Sequence, residues 1–184
     1  MTTPRGGNLL SAFWTPIVAA GCNGADGPNA QISVSVFGAG VVPDRPRLLA
    51  TLYKRNHTHG LVLAKGDLSL SMLCAAQVDL VPKLGFVSGR DAPKLDGLAY
   101  TLTERGNPVF EGSIGWLEGT IIEHFDLGDA TAFLIAVTEN HRLTDDEPLL
   151  WSKLAPTLPA EVRAQWDTKM ARDIDHYRSV MHWV

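Results

Sequence analysis

The chain of 184 residues has only two cysteines, Cys22 and Cys74, and neither belongs to a CxxC pair. Each sits beside an apolar run, which argues for structural thiols and against redox or metal roles. No apolar stretch approaches the ~20 residues that cross a bilayer. The opening "MTTPRGGNLLSAFW" lacks the continuous apolar segment and small-residue cleavage site of a secretory signal, so a cytoplasmic location is expected. Basic residues are not in excess: 16 Lys and Arg stand against 20 Asp and Glu, for a net charge of −4. Phosphate contacts need clustered cations, so neither DNA nor RNA is an expected partner. Missing too are the zinc-protease pair HExxH, the P-loop, the GxSxG elbow and a paired-carboxylate pattern. The GxG of "FGAGVVP" has Pro43 where a dinucleotide fingerprint needs its third glycine, and no helical pattern follows it. Acid–base or nucleophilic chemistry supplied by the protein itself has little support.

What the sequence does contain is a succession of β-branched runs separated by turn signals such as "NGADGPN", "PDRP" and "ERGNP". One domain of mainly β structure is expected. Strands are predicted at 15–21, 30–37, 47–53, 68–75, 98–104, 112–124 and 131–141, enough to curl into a barrel. Short helices at 58–65 and 77–84 plug or flank it. After Pro156 the period changes. Val162, Trp166, Met170, Ile174, Tyr177 and Met181 recur every three or four residues with Glu161, Arg163, Asp167, Lys169, Arg172 and Asp175 between them. This pattern predicts one amphipathic helix from near Pro159 to about His182, lying on its own barrel or on a partner's.

Two stretches have the chemistry of a binding site. In "NAQISVSVFGAG" the residues Ile32, Val34 and Val36 alternate with Gln31, Ser33, Ser35 and Phe37. A polar face would ordinarily meet water, but short hydroxyls and an amide ending in an aromatic and glycines suit a flat heteroaromatic ligand. In "LYKRNHTHGLVLAKGD", Thr58 stands where an N-cap belongs, and Lys54, Arg55 and Asn56 lie just upstream. A helix start with free N–H groups, ringed by cations, describes an anion seat, most simply for a phosphate. A metal would need His57 and His59 with His124 or His141, and no ligand spacing supports it, so no metal is expected. A polar-lined strand, an anion seat and no catalytic constellation together suggest that a bound cofactor carries the chemistry.

Four segments, in order, resemble the flavin reductase-like, FMN-binding split-barrel family. They are "WTPIVAAGCNGADGPNAQISVSVFGAG", "PRLLATLYKRNHTHGLVLAKGDLSLSML", "LGFVSGRDAPKLDGL", and "GNPVFEGSIGWLEGTIIEHFDLGDATAFLIAVTEN" with "EPLLW", spanning Trp14 to Trp151. The resemblance implies a homodimer of Greek-key split β-barrels with short flanking helices. Residues 1–155 would form the FMN-binding domain and 156–184 a helical extension of it. FMN is the implied cofactor, with FAD as the alternative. Asn29, Gln31, Ser33 and Ser35 would line the isoalloxazine and ribityl chain; Lys54, Asn56 and Thr58 would hold the phosphate; and Ser88, Gly89 and Lys94 would close over the polar tail. The implied activity is an NAD(P)H-dependent flavin reductase passing hydride from NADH or NADPH to FMN, with a flavin-dependent monooxygenase as partner. The alternative is a non-reductase flavoprotein, either an electron carrier or a pathway-specific enzyme acting on a small organic substrate. The pattern departs at Gly128–Asp129–Ala130, where many members have a histidine at the third position; His57 and His124 are the candidates to cover that role. The terminal helix is a second departure, expected to pack across the dimer or to lid the flavin cleft.

Overall fold

Strand β1 (Val18–Gly24) is apolar on both faces, and that determines the layering. Ile17, just before it, and Ala19 point into one core with Leu73, Leu84 and Phe110, whereas Val18, Ala20 and Cys22 point into another with Leu52, Leu68 and Phe133. Successive side chains of a strand alternate between faces, so a continuous apolar run must be covered twice.

The computed structural model of the chain describes residues 9–181. Strands β2 (Gly27–Ser33), β3 (Val36–Gly38), β4 (Arg47–Tyr53), β5 (Asp67–Met72), β8 (Gly115–Asp126) and β9 (Ala130–Arg142) join β1 in a seven-stranded sheet of order β2-β1-β5-β8-β9-β4-β3. Every pairing is antiparallel. The two edge strands, β2 and β3, are consecutive in the chain, joined by Val34 and Ser35 alone. The sheet therefore curls until its edges meet: Thr51 N–H donates to Ser35 O (2.9 Å) and Ser33 Oγ to Thr51 O (3.3 Å). The result is a curled half-barrel, mainly β as expected.

Helix α1 (His57–Lys65) sends Val62 into the core around Phe133, and α2 (Leu80–Gly85) sends Val81 and Leu84 into the core around Phe110. Gly66, at φ +80°, ends α1 in the left-handed conformation that glycine adopts without strain. A separate hairpin, β6 (Tyr100–Leu102) and β7 (Pro108–Phe110), lies against β1 and β5. After β9 the chain forms α3 (Trp151–Leu154) and the long α4 (Ala160–Val180).

Several expectations are corrected. Nine strands replace seven among the described residues. The strand expected at 30–37 breaks at Val34–Ser35, so Val36 packs on the core around Phe133 while Ile32 and Val34 pack on the core around Phe110. The segment 98–104 forms only the short β6, whose partner β7 starts on a proline and reads poorly as a strand. The helix expected at 77–84 divides into a 3-10 turn at Ala75–Gln77 and α2, and α3 was not anticipated. Asn56, not Thr58, is the N-cap of α1. The expected end of the last helix at His182 lies outside the described residues.

Beneath the β6–β7 hairpin lies a buried polar network. Asn107 Nδ2 donates to Asp67 Oδ1 (2.7 Å) and Glu118 Oε1 (2.9 Å), and its Oδ1 accepts from Asn23 N–H (3.0 Å) and Lys65 Nζ (2.8 Å). Lys65 Nζ is also 3.0 Å from Asp67, and the Thr103 hydroxyl bonds Glu118. One fully buried amide thus donates to two nearly buried carboxylates, and removing it takes a hydrogen bond from each and leaves Lys65, Thr103 and the more distant Arg105 as their partners. Replacing Asn107 by Leu is expected to cost about 3 kcal/mol, read as a lower midpoint in urea; an unchanged midpoint would contradict this role.

Candidate functional site

Between α1, α2 and α4 the sheet carries two connected cavities. The first is a polar groove of about 440 Å³ lined by Gln31, Asn56, His57, Ser88, Arg90 and Lys94 among others. The second is a mostly apolar, more enclosed cleft of about 290 Å³, floored by Gln31, Ser33, Ser35, Thr51 and Ala130. Gln31 and Asn56 border both.

The groove is assembled by two turns. The β4–α1 turn delivers Asn56, whose side chain makes no capping bond and so leaves its amide free at the helix start. The 86–94 loop delivers Ser88, Arg90 and Lys94. Lys94 Nζ donates to the carbonyls of Leu84 (2.9 Å) and Val87 (3.2 Å), leaving one N–H for the groove. Burial, with a smaller push from Lys169, brings its pKa down to about 8. Arg90 donates to Arg55 O (2.9 Å), tying the two turns together. Burial and the charges of Arg90 and Lys94 lower the His57 pKa, so its imidazole is neutral at pH 7.

The expected site residues divide. Gln31, Ser33, Ser35, Asn56, Ser88 and Lys94 line the cavities. Asn29 is buried, its Oδ1 accepting the Ala30 N–H (2.7 Å), and its amide lies where a Cβ on Gly89 would have to go. These two residues pack on each other. Lys54 turns to Asp126 (2.6 Å), on the β8–β9 hairpin, and lines neither cavity. Thr58 is fully buried with no partner for its hydroxyl among the described residues, again outside both cavities. His57 is in the groove; His124 is exposed on β8, its ring 6.3 Å from that of Phe133. His59 bonds Thr131 (2.8 Å).

The sequence reading missed Arg90, although it stands inside the quoted "SGRDAPK", and it missed the aromatic residues contributed by distant segments. Helix α4 roofs the cleft with the stripe that its periodicity announced: Trp166, Met170, Ile174 and Tyr177. It lies on its own barrel. Asp173, nearly buried, pairs with Lys169 (2.6 Å) and with Arg55 of the β4–α1 turn (3.2 Å), and Arg55 N–H donates to Tyr177 Oη (2.9 Å). Burial raises the Tyr177 pKa to about 12, so the phenol stays neutral.

Gln31 Oε1 is buried without a partner among the described residues, at the junction of groove and cleft. A buried unpaired acceptor in a cavity wall calls for a donor from a ligand. A groove lined by Arg90 and Lys94 thus opens onto a mostly apolar cleft whose lining includes the hydroxyl residues Ser33, Ser35 and Thr51.

Residues 10–155 match the family model described as flavin reductase like domain, and the chain belongs to that family. A high molecular weight rubredoxin of Moorella thermoacetica is 29% identical over 126 residues, covering 67% of this chain and 54% of that protein. The chain thus spans about half the length of that relative. A flavin reductase of Pseudomonas putida is 24% identical over 144 residues, 78% of this chain and 82% of that protein. The NADH:FAD oxidoreductase of Streptomyces globisporus shares the fold with a TM-score of 0.69 at 22% identity, over 80% of this chain and 90% of that one.

The ion pairs of Asp173 hold α4 down, so Asp173→Ala should free the roof. Limited proteolysis within 155–165 is expected to accelerate roughly tenfold, the equivalent of about 1.4 kcal/mol of lost docking; an unaltered cleavage rate would remove Asp173 from that role.

Proposed function

We propose that the protein is an FMN-dependent oxidoreductase, an NAD(P)H:flavin reductase that passes hydride from NADH or NADPH to FMN. The observation that carries this reading is the Gln31 Oε1, buried without a partner among the described residues, where the cationic groove meets the apolar cleft. The residues present fit FMN. Asn56, Ser88, Arg90 and Lys94 would take the phosphate, with the free first turn of α1 beside them. Gln31 would accept from a ring or ribityl donor, and Ser33 and Ser35 would lie along the ring. When bound, FMN supplies the hydride-accepting ring. The chain's share is to hold flat rings in contact, keep water out with α4, and set the anion in place. Alignment of rings needs no side-chain base, in keeping with a neutral His57 and with Ala130 in the cleft floor.

A second reading, a pathway-specific flavoenzyme acting on a small organic substrate, is favoured by the α4 roof: a reductase that releases flavin to a monooxygenase works best with an open cleft. Assembly as a homodimer is supported by Tyr53, Ile122, Phe125 and Leu127, large side chains left substantially exposed on and beside the β8–β9 hairpin.

Anaerobic spectra of the FMN-loaded protein with NADH and then NADPH test the proposal. Bleaching of the flavin band at a catalytic rate is expected. Yellow protein that only dithionite bleaches would replace the reductase with the second reading, and failure to retain any flavin would end both. Lys94 adds a pH signature. Below about 8 its ammonium is charged and attracts the phosphate; above, it is neutral and the attraction is lost. FMN affinity should therefore fall as pH rises from 7.5 to 9.5, by up to about tenfold per unit for one linked proton. Lys94→Gln should weaken binding at pH 7 and flatten that slope in a titration followed by flavin fluorescence; a slope that persists would clear Lys94 of the effect.

A further inference from the structure

We propose that α4 completes the anion groove, Lys169 and Arg172 adding to the cations of the barrel, so that a phosphate-bearing ligand and the docking of α4 stabilise each other. The inference deepens the flavin reading above and rests on it only for the identity of the ligand.

The family match covers residues 10–155, whereas α4 spans Ala160–Val180. The groove is nevertheless lined by Lys169, Arg172 and Asp173 of that helix as well as by Arg55, Arg90 and Lys94 of the barrel. A helix outside the family's domain therefore supplies part of the groove wall, and its contribution there is mainly charge.

The balance of that charge decides the sign of the coupling. Besides the neutral His57, Asp91 is the one other titratable side chain in the lining among the described residues, so five cations face two carboxylates. Asp173 already receives Lys169 at 2.6 Å, Arg55 at 3.2 Å and Arg172 at 3.8 Å. One carboxylate shared by three cations leaves them in positive surplus, so an entering dianion gains attraction without having to displace Asp173. Like charges also oppose each other across the boundary between helix and barrel: after burial, it is Lys169 that brings the Lys94 pKa down. A phosphate among these groups turns that repulsion into two attractions, one to each side. The docked helix is then more stable with phosphate than without it, and linkage requires the ligand to bind the docked form more tightly by the same factor. Riboflavin, which has the ring system and no phosphate, gains cover from the cleft and nothing from the groove.

The test follows limited proteolysis within 155–165 on the full-length chain, with a peptide substrate as control for the protease itself. Saturating FMN is expected to slow cleavage at least about fivefold more than saturating riboflavin does, the lower end of ordinary coupling between sites. Inorganic phosphate alone, compared with chloride at equal ionic strength, should also slow cleavage of the flavin-free chain. Lys169→Gln should abolish the phosphate effect and cost FMN at least about fivefold more affinity than it costs riboflavin, and Lys169→Arg, which keeps the charge, should restore both. A merely structural role for Lys169 would weaken the two flavins alike. Arg172→Gln, at an exposed position, repeats the measurement with a smaller expected effect in case Lys169→Gln misfolds. Equal protection by the two bound flavins, or cleavage that phosphate leaves unaltered or accelerates, would overturn the proposal. Should the chain retain neither flavin, the flavin reading fails by itself, and the phosphate measurement alone decides whether α4 belongs to the groove.

Discussion

Everything at the site depends on the closure of the curled sheet. Its two edges, β2 and β3, are one strand interrupted at Val34–Ser35, so the chain crosses from one side of the barrel to the other within two residues. Ser33 and Ser35 are consumed partly in that crossing, through bonds to the Thr51 backbone, and they surface on the cleft floor because of it. The same closure places β4 beside the crossing. The turn after β4 must then rise next to Gln31, carrying Arg55, Asn56 and His57 to the spot where the groove begins.

The second constraint is the competition for Arg55. Its backbone N–H serves Tyr177, its carbonyl serves Arg90, and its guanidinium serves Asp173. One residue links the roof, the second groove loop and the anion seat. Asp173 is nearly buried, and a carboxylate so placed is tolerated only because Lys169 and Arg55, and at 3.8 Å Arg172, reach it. Its partners lie on α4 itself and on the β4–α1 turn, so the roof is held at the edge of the seat rather than at its own far end.

Much of this was legible in the sequence, and the failures have physical reasons. Arg47–Tyr53 was read with its true ends because its flanking prolines and its "KRN" turn are local signals, and α4 was read because a long 3.6-residue period leaves little ambiguity. Residues 30–37 were read as continuous because the alternation persists through Val34–Ser35; nothing local reveals a strand that changes cores. Thr58 is expected as the cap and Asn56 takes that place; both residue types cap well, and only the backbone decides between them. Lys54 read as a phosphate ligand, yet the strand pairing β4 to β9 turns it to Asp126, a contact across 72 residues. The aromatic residues of the cleft were invisible for the same reason. Trp14, Phe86, Trp151 and Trp166 share no period and meet only in the folded chain.

The roof over the cleft is held by two kinds of force at its two sides. The Arg55–Asp173–Lys169 cluster is coulombic, whereas Trp166, Met170 and Ile174 hold by burial. Added salt weakens the first, less than it would an exposed pair, and leaves the second intact or stronger, while cooling weakens the second and spares the first. Ionic strength and temperature therefore act on different sides of the same helix. The cleft has two independent ways to loosen, one beside the anion seat and one over the rings.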